Sequence, residues 1–290
     1  MSEGVRVLRR AGFVSLGLLA LVLGAFVTSC DTARPETDGV GVIVTIPPVG
    51  DFVSHVAGDR AEVTVMVPPG SSPHTYEPTP SQMAAVSRAS IYFKVGSGVE
   101  FETMWMADLV ETNPEMLVVD CSQGIDVMEA DPHIWNSPVN AQVMVESICD
   151  GLIEIDPANA SLYREHRDDY LTELGVLDSY IRCTFKGFAN RYFLIYHPAF
   201  GYFASEYDLT QLAVEHGGKE PTPRVIQDCI DKSLQYDLEY VFVAPQFATD
   251  ECETIAAEIG GQIAMMDPLP ENYIANMARI VAALAVEFED

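Results

Sequence analysis

The chain has 290 residues, 48% of them apolar, and a formal net charge of −27. That length and apolar content suit two domains, each burying its own core, and exclude a disordered chain. With 43 acidic against 16 basic residues, a nucleic-acid partner is excluded; the acidity reads as a solvated surface, with a field that gathers cations as the less specific alternative.

Arg6, Arg9 and Arg10 precede an apolar run over residues 11–27, which reads as an export signal spanning 1–29. The run is shorter than the roughly twenty residues a bilayer span needs, so an uncleaved anchor is the weaker alternative. The end of the run, V-T-S-C, resembles a bacterial or archaeal lipoprotein signal. That resemblance implies a lipid on Cys30, and a protein held on the extracytoplasmic face of the membrane by a tether over 30–39. Arg9-Arg10 also admits the twin-arginine route. Cys121, Cys149, Cys183, Cys229 and Cys252 are widely spaced with no C-x-x-C pair. They allow at most two disulfides, or serve as small buried apolar residues.

Residues 40–46 are β-branched and apolar and run into Pro47-Pro48, a buried strand with a short helix to follow. A second strand over 61–67 delivers the chain into P-P-G-S-S-P-H-T-Y-E-P-T-P (68–80), a proline-stiffened loop that presents His74. Thr79-Pro80 has the form of a cap and first helical residue. A strand at 90–95, a helix at 99–110, a strand at 115–120, an irregular stretch at 121–138 and a helix at 140–155 complete a first half in βα alternation, which implies a parallel sheet.

After Asp156-Pro157, nearly thirty residues lack a breaker apart from Gly175. Leu162, His166, Tyr170, Leu174, Leu177 and Ile181 share one helical face. A helix of about 40 Å suits a strut between lobes. The second half repeats the pattern, with strands at 192–196, 209–214, 240–244 and 262–266 and helices from Ala199, after Thr222-Pro223, from Thr249 and from Asn272. The fold class is therefore α/β: two lobes, each a mostly parallel four-stranded sheet with flanking helices, at 40–155 and 188–290, joined by one long helix at 156–187.

His74, His133, His197 and Asp267 all follow the carboxyl ends of predicted strands, the edge where open α/β sheets bind ligands. Three imidazoles and one carboxylate make an N/O site of the kind that takes Zn2+. Tyr76 and Glu77 are candidates for orienting His74, a solvated loop tip being the alternative for Glu77; Trp135 walls the cleft or packs. His55 and His166 read as packing residues and His216 as an exposed loop residue. A zinc hydrolase would need an open coordination position and a base, and no H-E-x-x-H is present. A structural site would keep its ligands within one domain. A reversible carrier, not an enzyme, fits a site assembled from two lobes.

P-H-T-Y-E-P-T-P, D-P-H-I-W, Y-H-P-A-F-G-Y-F and M-D-P-L, in that order, resemble the metal-binding solute receptors of ABC transporters, the zinc and manganese cluster A-I family, over about residues 40–290. The resemblance implies limited lobe movement and delivery of Zn2+ or Mn2+ to a membrane permease and its ATPase; the chain itself is expected to be a monomer. His74, His133, His197 and Asp267 fall on the family's ligand positions, and His197 stands where manganese members often carry Glu. The His-rich loop of many zinc members is absent from 121–131, and Asn136 stands where Leu is common. Some members are assigned a role as surface adhesins.

Overall fold

The computed structural model describes residues 39–129, 131–215, 217–247 and 250–289. The export signal, Cys30, most of the tether, Thr249 and His216 lie outside the described residues.

Strand β1 (Val40–Val44) is followed at once by helix α1 (Pro47–Ala57), whose first two positions are the prolines. Their fixed φ and missing N–H suit a helix start, so they open the helix as well as end the strand. Strand β2 (Ala61–Val65) leads through the 68–80 loop to α2 (Pro80–Val86). Thr79 and Gln82 cap α2 reciprocally. The Gln82 amide also donates to the carbonyls of Val65 and Met66, at 3.0 and 2.7 Å. One side chain thus closes the loop's two ends together, and the prolines stiffen what lies between.

Strand β3 (Ile91–Lys94), α3 (Glu100–Thr112), β4 (Leu117–Asp120) and α4 (Pro138–Ile155) complete the first half. The second half holds β5 (Tyr192–Ile195), α6 (Gly201–Glu206), β6 (Thr210–Ala213), α7 (Pro223–Gln235), β7 (Tyr240–Val243), α8 (Asp250–Ile259), β8 (Gln262–Met265) and α9 (Tyr273–Glu287). Each sheet is entirely parallel, in the orders β2-β1-β3-β4 and β6-β5-β7-β8. Both halves thus share one topology as well as one element pattern.

Helix α5 (Ala160–Phe185, 26 residues) joins the halves, about 39 Å long at 1.5 Å per residue. It begins after a 3-10 turn at Pro157–Asn159, where the Asp156 carboxylate accepts from Asn159 and Tyr163. Its buried stripe is Tyr163, Tyr170, Leu174, Leu177, Ile181 and Phe185. Leu162 and His166, expected on that face, are only half-buried, because Tyr163 fills the start of the stripe.

The expectation of separate cores is corrected by the packing. One apolar core runs from the first sheet through α1, α4 and α5 to Phe193 and Ile195 of β5, Phe242 of β7, and the buried face of α9. Leu194, Val241 and Val243 point the other way, into a smaller core with Cys229, Cys252 and Ile255. Period-two alternation thus lets one short strand serve two cores. At Gly151 of α4 this packing leaves no room for a side chain. A methyl there would stand 2.7 Å from Phe93 and 2.9 Å from Val119 side-chain carbons, so Gly151→Ala is expected to destabilise by about 1–3 kcal/mol through overpacking, read as a lower denaturation midpoint.

All five cysteines beyond Cys30 are free thiols and only Cys183 is exposed. Burial pushes Cys229 up to about 11 and Cys252 to about 12, which leaves both as unreactive core residues. Among the described residues no helix is long and apolar enough to cross a membrane.

Candidate metal centre

The three histidines delivered by β2, β4 and β5 meet. The His197 ring centroid lies 5.1 Å from that of His74 and 5.1 Å from that of His133. The Nε2 atoms of His133 and His197 approach to 3.2 Å. Two nitrogens bound to one tetrahedral zinc at about 2.0–2.1 Å stand about 3.3–3.4 Å apart, so this pair already has the spacing of two ligands on one ion.

Each imidazole is backed by a carboxylate at Nδ1. Glu100, opening α3, stands 3.0 Å from His74. Asp131 stands 2.8 Å from His133 and also accepts its backbone N–H at 3.0 Å. Glu215, just past β6, stands 2.5 Å from His197. An ionised carboxylate only accepts, so each contact calls for a proton on Nδ1 and leaves Nε2 with its lone pair. In the His133–His197 pair these lone pairs face one another, an arrangement that holds a proton or a cation between them.

Burial, and next the charge on His133, lowers the pKa of His197; the hydrogen bond to Glu100 raises that of His74. Glu100 is lowered in turn, chiefly by His74. It is therefore anionic at neutral pH.

The cavity between these groups has a volume of about 20 Å3, room for roughly one water-sized particle. Glu100 is its one lining carboxylate among the described residues, and Phe247 and Trp135 supply apolar wall. Phe247 stacks on His197 at 4.9 Å, and Trp135 meets His133 edge-on at 5.3 Å.

Asp267 is half-buried just past β8 and does not line the cavity; Gln246, Pro268 and Leu269 beside it do. Its Oδ1 accepts from Leu269 N at 2.9 Å and from the Gln246 amide at 3.3 Å. Among the described residues no group of three or more His, Cys, Asp or Glu side chains stands ready to hold a metal ion as placed. What is assembled is two imidazole nitrogens, with the third ring edge-on beside them and Asp267 one residue away from the wall.

The segment carrying His133 is stitched to the second half of the chain. Trp135 Nε1 donates to Pro268 O at 2.7 Å, and Asn136 donates to Ala199 O at 2.9 Å. Tyr202 donates to Asp131 O and accepts from Met128 N. Gly201 is required there, because a methyl on it would overlap the Asp131 carboxylate. Asn136 thus uses its amide where an aliphatic residue could not.

The partners of His74 named from sequence need correction. Tyr76 donates to Gln82 at 3.1 Å, reinforcing the loop base, and Glu77 is exposed; the carboxylate on His74 is Glu100. The sequence reading missed Glu100, Asp131 and Glu215; of these, Asp131 stands in the same D-P-H motif as His133 and Glu215 lies two residues past β6. His55 lies elsewhere, stacked on Tyr170 at 4.0 Å, and His166 faces Val56 O at 3.1 Å.

A family model described as the periplasmic component A of the zinc-uptake complex matches residues 42–286. The manganese-binding lipoprotein MntA of Halalkalibacterium halodurans is 31% identical over 265 residues, covering 87% of each chain. The high-affinity zinc uptake system protein ZnuA of Bacillus subtilis is 26% identical over 261 residues, covering 82% of this chain and 81% of that one. Among solved structures, a zinc-bound deletion mutant of ZnuA matches with a TM-score of 0.83 at 35% identity, covering 87% of this chain and 99% of that one.

Proposed function

This chain belongs to the family of periplasmic zinc-uptake component A proteins, and from that membership we propose that it is an extracytoplasmic receptor that captures Zn2+ between its two halves and hands it to an ABC permease. The observation that carries this reading is the pair of Nε2 atoms 3.2 Å apart, each imidazole backed by its own carboxylate. Borderline imidazole donors suit zinc better than manganese. On this reading His133 and His197 take the ion first, and rotation of His74 and Asp267 completes a set of four. Four protein ligands leave no open position for catalysis, in keeping with a family of transport receptors. The working units are the lobes at 40–155 and 188–290 and the helix at 156–187, and a lipid on Cys30 holds the monomer at the membrane. A zinc-uptake relative and a lipoprotein relative support uptake and anchoring respectively. Competitive titration of the purified chain with Zn2+ and Mn2+, with bound metal read by elemental analysis, is expected to give one tightly held Zn2+ per chain that excess Mn2+ does not displace. A chain that retains no metal, or prefers Mn2+, defeats the assignment.

Capture is expected to weaken in acid. The hydrogen bond to Glu100 raises the pKa of His74 above its ordinary 6.5, and a protonated imidazole cannot ligate. Affinity is therefore retained above that raised value and falls about tenfold per pH unit below it, as one proton must leave for each ion bound. Glu100→Gln removes the anion that favours protonated His74, so the acid limb moves to lower pH. Calorimetric titration between about pH 5 and pH 8 checks both; a limb that stays in place in the variant contradicts the role given to Glu100.

A further inference from the structure

Of the three carboxylates behind the imidazoles, Glu215 differs from the others. The side chains of Glu100 and Asp131 are 45% and 18% exposed, whereas Glu215 as a residue is 3% exposed. Its two oxygens are divided between two donors. Oε2 takes His197 Nδ1 at 2.5 Å, and Oε1 takes the backbone N–H of Gly218. Gly217 and Gly218 both have left-handed backbone, with φ of 66° and 72°, a conformation glycine adopts without steric cost. The chain just past β6 is thereby folded back so that its own N–H fixes the carboxylate.

We propose that Glu215 is a positioning residue that commits His197 to the tautomer able to bind metal and tilts the site toward Zn2+. Since a carboxylate has no proton to give, Oε2 forces the hydrogen onto Nδ1 and keeps the Nε2 lone pair pointed at His133. The buried negative charge also makes the imidazole a stronger donor, an effect that is large where solvent does not screen it. A stronger nitrogen donor favours Zn2+ over oxygen-preferring Mn2+. This inference deepens the carrier reading and rests on it.

Glu215→Gln is the informative change because it keeps the shape. Gly218 N–H claims the single amide oxygen, which leaves the NH2 group against His197 Nδ1. That contact demands the opposite tautomer, with the hydrogen on Nε2 where the metal should be. Glu215→Asp keeps a carboxylate on a shorter arm.

The test combines long-range 1H–15N correlation spectra of the histidines in metal-free protein at about pH 8, where imidazoles are neutral, with competitive Zn2+ and Mn2+ titrations. Expected are an Nδ1–H tautomer for His197 in the wild type, an Nε2–H tautomer in Glu215→Gln with about 10–100-fold weaker Zn2+ binding, and a smaller change for Mn2+. Glu215→Asp is expected to restore the wild-type tautomer. An Nε2–H tautomer in the wild type overturns the proposal without any variant having to fold, and so does a Gln variant with unchanged tautomer and Zn2+ affinity. A wild type that shows the Nδ1–H tautomer yet binds no Zn2+ overturns the carrier reading and leaves the positioning by Glu215 standing.

Discussion

His197→Ala is expected to weaken Zn2+ binding by well over the roughly 10–100-fold that loss of an outer partner costs, because it removes a donor nitrogen outright. His197 is the hub of the cluster, within ring contact of both other histidines. Without it, His133 Nε2 loses the partner at 3.2 Å, and the buried Glu215 carboxylate loses its Nδ1–H donor. That second loss should cost stability too, about 1–3 kcal/mol for the Oε2 of a charged acceptor left without a donor. His55→Ala and His166→Ala are the controls. Both side chains serve α1 and α5, through Tyr170 stacking and the Val56 carbonyl, and neither lines the cavity. Competitive zinc titration of the three variants should place His197→Ala apart from the other two; equal losses would mean that the cluster is a packing feature.

Trp135 is the second residue whose loss should be severe. Its side chain is buried, its ring braces His133, and its indole N–H bridges the two halves by donating to Pro268 O. Truncation to Ala opens a cavity in the continuous core and is expected to cost about 3–5 kcal/mol. Trp135→Phe separates the bridge from the bulk. It keeps an aromatic ring but leaves the Pro268 carbonyl without its donor, at about 1–3 kcal/mol. Pro268 follows Asp267, so the Phe variant should also bind Zn2+ more weakly even where it is fully folded. Denaturant unfolding and zinc titration on the same samples measure both effects. A Phe variant with wild-type stability and affinity would show that the bridge is idle.

Much of this molecule can be read from its sequence because its elements announce their ends. Thr79-Pro80 and Thr222-Pro223 open α2 and α7 as cap and first position, and the apolar runs before His74, His133, His197 and Asp267 are strands of the two sheets. The breaker-poor stretch after Pro157 is the single long helix. The shared core was harder to see, because burial on both faces erases alternation in four-residue strands such as Tyr240–Val243. The start of the α5 stripe was missed because Tyr163, next to Leu162 in sequence and seven residues before Tyr170, is the residue that fills it. Glu100 and Glu215 were hidden for a different reason. In a chain with 43 acidic residues, a single glutamate carries no signal until its side chain is seen buried or aimed. Glu77 drew attention by lying near His74 in sequence, but the loop turns it to solvent.

The cavity of about 20 Å3 bears on which ions are admitted at all. That is room for about one water-sized particle, so a divalent ion cannot bring its full hydration shell inside. It must be stripped before the nitrogens can reach it. Mg2+ parts with its waters reluctantly and usually keeps several of them, whereas zinc accepts imidazole in their place. The side chains of Trp135, Phe247 and Leu269 offer a half-dehydrated ion no oxygen or nitrogen donor, which leaves Glu100 and the histidines to replace the water it has lost. The small volume therefore disfavours Mg2+ through dehydration alone, apart from any preference the histidines add.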